Sequence, residues 1–300
     1  GDLNRLTKSA DLAMYHAKEA GKNCYRFFDT DMDAKISRRL KLEQGIRRTL
    51  DSGGFSLFYQ PLVGRDGSIR ELEALVRWKD PELGWLTPGS FIPLAEETNL
   101  IIPLGNWIIE TACRQLRSWH DAGIKPLSIS INLSAKQFAH PEIVAIVGNA
   151  IRRSGADPAS IRLEITETCV MREPAQTAEK MRILKQQNPG LEFVIDDFGT
   201  GYSSLSYLSK LPADRIKIDL SFVSRLFEEQ NQKIVNAIIS LAETLDMEYV
   251  AEGVENDDQA QFFIQRGCGL MQGYFFHQPL PVDEITPLLD SSQAELPVVS

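Results

Sequence analysis

The sequence contains no apolar run near the ~18 residues that a membrane-spanning helix needs. Its opening residues lack the charged-then-apolar pattern of a signal peptide. Cysteine is scarce: Cys24, Cys113, Cys169 and Cys268 are the four in 300 residues. They are too few and too scattered for a disulfide framework or a CxxC zinc site, and read as free thiols in a reducing cytoplasm. The four histidines, His16, His120, His140 and His277, are isolated, with no HExxH and no readable Cys-His or Ser-His-Asp arrangement. Positive charge is also short, with 32 Lys and Arg against 41 Asp and Glu, a net charge of −9 and a pI of about 5.1. That argues against binding nucleic-acid polymers, which favour a basic surface. It leaves room for a small phosphate ligand, because bound cations reverse a local field. Hydrophobic residues at 43% and charged residues at 24% are ordinary for a globular chain and exclude a disordered tail, a fibre or a coiled-coil rod. By elimination, catalysis in this chain falls to carboxylates.

What is present is a regular alternation. Residues 1–29 hold one helical pattern, with Ser9 as N-cap and Gly21 as C-cap, and one short strand, CYRFF. They read as the end of a domain that begins elsewhere. Residues 30–50 read as a linker that becomes the first helix of the next unit, and 291–300 as a tail. Between them, strands are expected at 55–63, 71–78, 127–134, 161–167, 192–198, 215–221, 249–255 and 270–276. The first two are joined by GRDGS, which predicts an antiparallel hairpin. Amphipathic helices are expected at 91–122, 136–154, 174–189, 203–211, 222–247 and 257–267. Strand–helix alternation favours parallel pairing with right-handed crossovers. The fold class is α/β, a (β/α)8 TIM-like barrel with one antiparallel strand. An open doubly wound sheet is the rival, but no GxGxxG turn follows a strand.

The strands divide their residues between two faces. In LSISINLS, Leu127, Ile129, Ile131 and Leu133 oppose Ser128, Ser130, Asn132 and Ser134; in IRLEITE, apolar residues oppose Arg162, Glu164 and Thr166. ELEALVRW opposes Leu72, Ala74 and Val76 to Glu71, Glu73 and Arg77, and RIKIDLS opposes isoleucines to Lys217 and Asp219. Every strand thus carries a polar residue able to point inward: Gln60, Glu73, Asn132, Glu164, Asp196, Lys217, Glu252 and Gln272. A rim or edge position is the alternative for any one of them, but buried carboxylates are costly without compensation. Glu73, Glu164, Asp196, Asp197, Glu252 and Asn132 form an all-oxygen set with Lys217 as the cation among them. One or two hard divalent ions, Mg2+ or Mn2+, resolve that repulsion, and a pair would suit phosphodiester hydrolysis. Lys217 would then orient or help deprotonate the attacking water, its pKa lowered by the metals. In DDFGTGYSSLSYL both aspartates reach one site only if the chain turns there; an ordinary βα turn is the alternative.

These residues carry a resemblance. Glu73-Ala74-Leu75 within EALVRW, followed by NLSAKQF, LEITET, DDFGTGYSSL, IKID, AEGVE and QGYFF in order and spacing, resembles the EAL-domain cyclic di-GMP phosphodiesterases over residues 37–290. The resemblance implies a barrel that opens cyclic di-GMP to linear pGpG with two Mg2+ or Mn2+ ions, Ca2+ being inhibitory. It implies Glu73, Asn132, Glu164, Asp196, Asp197 and Glu252 as metal ligands and Lys217 as the water-binding lysine. Glu73, Glu167 and Glu252 join Lys217 in the catalytic set, Glu167 by steadying the loop after Asp197. Gln60, Leu75, Arg77, Asp197, Glu255, Gln272 and Pro279 match substrate or further active-site positions; an ion pair with Asp80 is the alternative for Arg77. The loop of Phe198, Gly199, Thr200, Gly201, Tyr202, Ser203 and Ser204, with nearby helices, implies a homodimer. ADLAMYHAKEAGKN resembles the end of a GGDEF domain, so 1–29 reads as its remnant. The parent chain is then expected to carry GGDEF and sensory modules upstream and to be cytoplasmic or anchored at the inner membrane, this part touching neither membrane nor nucleic-acid polymer. Three departures stand out: Leu220 where Arg is common, Asn256 for Thr, and Gly269 for Asp. A receptor that binds the dinucleotide uncleaved and a domain acting only through a protein partner are the other readings.

Overall fold

In the computed structural model, the described residues are 30–124, 127–201 and 205–289, with a few isolated positions before residue 30. The expected GGDEF remnant and the 291–300 tail therefore lie almost wholly outside them. Ten strands follow in chain order: β1 (Phe55–Gly64), β2 (Ile69–Asp80), β3 (Gly84–Leu86), β4 (Ser128–Leu133), β5 (Ile161–Thr166), β6 (Glu192–Phe198), β7 (Arg215–Ile218), β8 (Glu248–Ala251), β9 (Leu270–Gln272) and β10 (Leu280–Pro281). Their order is β10-β1-β9-β8-β7-β6-β5-β4-β2-β3, and the additional pairing of β1 with β2 closes eight of them into a barrel. β1 is the reversed strand, antiparallel to both β2 and β9. The remaining pairs around the barrel, from β2–β4 to β8–β9, are parallel. The eight expected strands are the eight barrel strands. β3 and β10 are edge additions of three and two residues, too short to show a period.

The β1–β2 turn contains Gly67 at φ 76°, and Asp66 Oδ1 accepts the Ser68 amide at 3.1 Å. This sets Gln60 opposite Glu73. On the outer face Ile129, Ile131, Leu163, Ile165, Ile216 and Ile218 are buried against the surrounding helices, which supplies the hydrophobic driving force. Trp78 on β2 packs outward too and donates from Nε1 to Thr49 Oγ1 at 3.0 Å, in the helix Thr30–Ser52.

Three expected helices divide. The 91–122 stretch becomes Pro88–Glu97 and Ile101–Asp121, broken where Asn99 takes a left-handed φ of 61°. The 136–154 stretch becomes Ala135–Ala139 and Ile143–Ser154, because Pro141 restricts His140 and cannot continue the ladder. The 222–247 stretch becomes Leu220–Val223 and Glu229–Thr244. β7, β8 and β9 end three or four residues earlier than expected, so Asp219, Glu252 and Glu255 sit in loops at the barrel mouth. Cys113, Cys169 and Cys268 are buried free thiols, and burial pushes that of Cys169 up to about 11. Among the described residues no helix is long and apolar enough to cross a membrane.

Candidate active site

The barrel interior is polar in two layers. The lower one lies two residues back along β2, β4, β5 and β7 and four back on β6 and β8. Glu71 accepts from Arg215 Nη1 at 2.9 Å and from Ser130 Oγ at 2.5 Å. Arg162 Nε stands 2.6 Å from Glu192 and 3.7 Å from Glu71. Arg215 also pairs with Glu192 at 3.1 Å and with the exposed Glu248 at 2.9 Å. Two guanidiniums thus meet three carboxylates, one of them in solvent, and the layer nearly neutralises itself.

The upper layer does not. Lys217 is 1% exposed. Its Nζ stands 2.8 Å from Glu164, 3.4 Å from Glu73 and 3.5 Å from Asp196, and it also pairs with Glu252. Asn132 Nδ2 donates to Glu73 Oε1 at 2.6 Å. Gln272 Nε2 donates to Glu73 Oε2 at 2.7 Å and to Gln60 Oε1 at 3.0 Å. Four carboxylates share one ammonium, and Asp197 follows Asp196 as a further acid. Alternation along β2, β4, β5 and β7 puts Glu71, Ser130, Arg162 and Arg215 on the same side as Glu73, Asn132, Glu164 and Lys217, so spacing alone did not tell the two layers apart.

Electrostatics follow from that imbalance. Burial works against the charged form of Lys217, but Asp196, Glu164, Glu252 and Glu73 outweigh it and hold the ammonium well above the ordinary lysine range. The lowered value expected from the sequence belongs to a site loaded with metal ions; with the carboxylates alone around it the ammonium is held raised. Burial pushes Glu164 well above the carboxylate range, and Glu73, Asp196 and Glu252 add to it. Burial pushes Glu252 up to about 8 against the pull of Lys217. Glu73 goes the other way: burial opposes its charge, but Lys217, Gln272 and Asn132 hold it below the usual range.

Asp197 lies at the end of β6 with φ 54°, a left-handed conformation, and the β6–β7 register shifts between Ile195 and Phe198. That kink brings successive aspartates toward one site although neighbours on a strand face opposite ways. Burial, with Asp196 and Asp219, pushes Asp197 up to about 6. Glu167, 1% exposed, accepts the amides of Gly199 at 2.9 Å and Gly201 at 3.4 Å. Gly199 has φ 97°, which a side chain would strain. Phe198 is buried and Thr200 exposed. Tyr202, Ser203 and Ser204 lie outside the described residues.

A cavity of ≈ 370 Å³ opens beside the carboxylates. Gln60, Glu73, Leu75, Glu252, Glu255 and Gln272 line it, and so do Leu220, Ser224, Gly253, Gly273 and Tyr274. The second group was not foreseen as lining. Tyr274 was legible within QGYFF, while Ser224 sits one helical turn beyond the IKID motif and had no signal. Arg77 and Pro279 are half-buried and do not line the cavity. Asp80 pairs with Arg48 at 3.1 Å, so the alternative partner for Arg77 is already taken. Of the departures, Leu220 forms part of the cavity wall. Asn256 caps the helix Asp257–Gln265 by accepting the Gln259 amide at 3.0 Å. Gly269 precedes β9 with open space where a Cβ would stand.

Among the described residues no group of three or more His, Cys, Asp or Glu side chains is set at metal-binding geometry; the carboxylates turn onto Lys217 instead. The donor chemistry nonetheless fits hard divalent cations: every candidate is an oxygen ligand, negative charge is in excess, and Glu164 Oε1 is buried without a hydrogen-bond partner.

The sequence matches the EAL domain family over residues 43–279. It is 42% identical over 284 residues to the bifunctional diguanylate cyclase/cyclic di-GMP phosphodiesterase MucR of Pseudomonas aeruginosa, covering 94% of this chain and 41% of MucR. It is 36% identical to the cyclic di-GMP phosphodiesterase PdeR of Escherichia coli, covering 93% of this chain and 42% of PdeR. The chain thus spans about two-fifths of these relatives. A solved structure described as the PaMucR phosphodiesterase in complex with c-di-GMP superposes with a TM-score of 0.79 at 41% identity, covering 82% of this chain and 99% of that one.

Proposed function

The chain belongs to the EAL domain family, and from that premise we propose that it hydrolyses cyclic di-GMP to linear pGpG with two divalent cations, Mg2+ or Mn2+. The observation that carries the reading is the upper layer: four carboxylates around a single buried ammonium, with Asn132 bonded to one of them, at the mouth of the barrel. Such a cluster is costly unless cations compensate it. Glu73, Asn132, Glu164, Asp196, Asp197 and Glu252 would hold the cations. Bound there, they would polarise the phosphoryl oxygens and make water a nucleophile at neutral pH.

The chain's own residues do the rest. Lys217, buried among Glu73, Glu164, Asp196 and Glu252, orients the attacking water or helps to deprotonate it. Gln272 and Asn132 bond both oxygens of Glu73 and orient it. Glu167 ties down the backbone after Asp197, which keeps that carboxylate at the mouth. Gln60, Leu75, Glu255 and Gln272 bound the substrate, and Arg77 and Pro279 belong to the same set at its edge. The reading extends to inhibition by Ca2+, whose longer bonds and weaker Lewis acidity suit the same oxygens poorly. It extends also to a homodimer through the 198–204 loop, to upstream GGDEF and sensory domains in the parent chain, and to the cytoplasm as compartment.

The test is hydrolysis of cyclic di-GMP with Mg2+, with Mn2+ and with EDTA, following pGpG by chromatography. Product with either metal and none with EDTA is expected. Tight binding without product under all three conditions would overturn hydrolysis in favour of a receptor.

A further inference from the structure

The cavity is small for the proposed substrate. A cyclic dinucleotide carries two purine bases on two phosphodiesters, whereas 370 Å³ lies near the bottom of the range for small-ligand pockets. Part of the ligand must extend beyond the rim. The face it would meet is traced by register. On β2, Glu73, Leu75, Arg77 and Lys79 alternate onto one side. On β1, Gln60 and Phe58 lie opposite Glu73 and Leu75; on β3, Trp85 lies opposite Lys79. Gln60, Glu73 and Leu75 line the cavity, so Phe58, Arg77, Lys79 and Trp85 continue its wall outward. Phe58 stands one pleat repeat, about 7 Å, beyond the Gln60–Glu73 level.

This strip alternates aromatic rings with cations. Phe58 and Trp85 meet edge to face at 5.7 Å. Arg77 stands 5.6 Å over Phe58, and Lys79 stands 5.6 Å over Trp85. Trp85 is 56% exposed, whereas Trp78 and Trp119 are buried in the core. Among the described residues Arg77 donates to the Val76 carbonyl and pairs with no carboxylate. A half-buried guanidinium without an anion is complementary to a phosphate.

We propose that this strip extends the site to the second nucleotide: Trp85, backed by Phe58, stacks the purine that leaves the cavity, and Lys79 joins Arg77, already of the substrate set, on its phosphodiester. The inference rests on the proposed function and names the residues that favour a purine dinucleotide over a shorter phosphodiester.

The experiment compares the chain with Trp85→Ala and Trp85→Tyr, by cyclic di-GMP hydrolysis in Mn2+ and by calorimetric titration in Ca2+. Removing a base-stacking ring weakens binding by roughly 5- to 100-fold. Trp85→Ala should therefore raise KM and Kd by that factor with kcat changed far less, and Trp85→Tyr should restore most of the loss. Tryptophan emission should be quenched by the nucleotide in the unmodified chain and much less in Trp85→Tyr. Unchanged KM and Kd in Trp85→Ala would overturn the subsite while leaving hydrolysis standing. Binding without turnover in the unmodified chain would sink the hydrolytic reading alone, because Kd would still test Trp85. Neither binding nor turnover would remove both.

Discussion

Replacing Lys217 by methionine keeps the length of the side chain and removes its charge. Its Nζ faces Glu164, Glu73 and Asp196 at 2.8–3.5 Å. At an effective dielectric near 20, each such pair attracts by about 5 kcal/mol, and desolvation of both partners offsets most of it. Removing one member of a buried charge cluster costs about 3–5 kcal/mol because the rest stay uncompensated. For a domain of this size that corresponds to a Tm lower by about 6–20 °C. Scanning calorimetry in EDTA at pH 8 measures it. Divalent cations should narrow the gap between variant and parent, since they supply the lost charge to the same oxygens. Lowering the pH should narrow it as well, because the carboxylates then take up protons. Hydrolysis should fall by about 10²-fold or more in either case, since the donor that orients the water is gone. A Tm loss under about 2 °C in EDTA, or a gap that Mg2+ leaves untouched, would refute the account of a carboxylate cluster held by one ammonium.

Stability of the metal-free chain should fall as pH rises from about 4.5 to about 8: Glu252 is pushed up to about 8 and Asp197 to about 6, and a carboxylate raised in the folded state stabilises below its unfolded pKa and loses that contribution as pH climbs through the folded value. Melting in EDTA across this range checks it, and Mg2+ should raise Tm more at pH 8 than at pH 5. In the lower layer, Glu71→Met should cost about 3 kcal/mol by leaving Arg162 and Arg215 to share Glu192 and the exposed Glu248, and adding Arg215→Met should recover part of it; a denaturant double-mutant cycle reads the coupling. Gly273→Ala should cost about 3 kcal/mol or more, because its Cβ would fall on the backbone of Val254 and break the bonds from Val254 to Gln272 and from Phe275 to Val254; a Tm within about 2 °C of the parent would contradict it.

Much was legible in the chain. Period-two alternation in short β-branched segments, separated by amphipathic stretches, specifies a parallel barrel, and a Gly-containing connection specifies the one reversed strand. The helix breaks at Asn99 and Pro141 are local events that hydrophobic periodicity does not reveal. The same alternation marked both Glu71 and Glu73, both Arg162 and Glu164, as inward-facing. Which layer needs cations was beyond its reach, because charge balance depends on strands far apart in sequence: Arg215 reaches Glu71 across 144 residues, as Lys217 reaches Glu73. The sequence by itself determined the barrel, the carboxylates and the turn at Asp196-Asp197. Only the tertiary structure decided that one layer is neutralised by two arginines while the other converges on a single lysine. It alone decided, too, that β3 folds back to set Trp85 beside Phe58, since barrel closure and register bring those groups within a few ångströms.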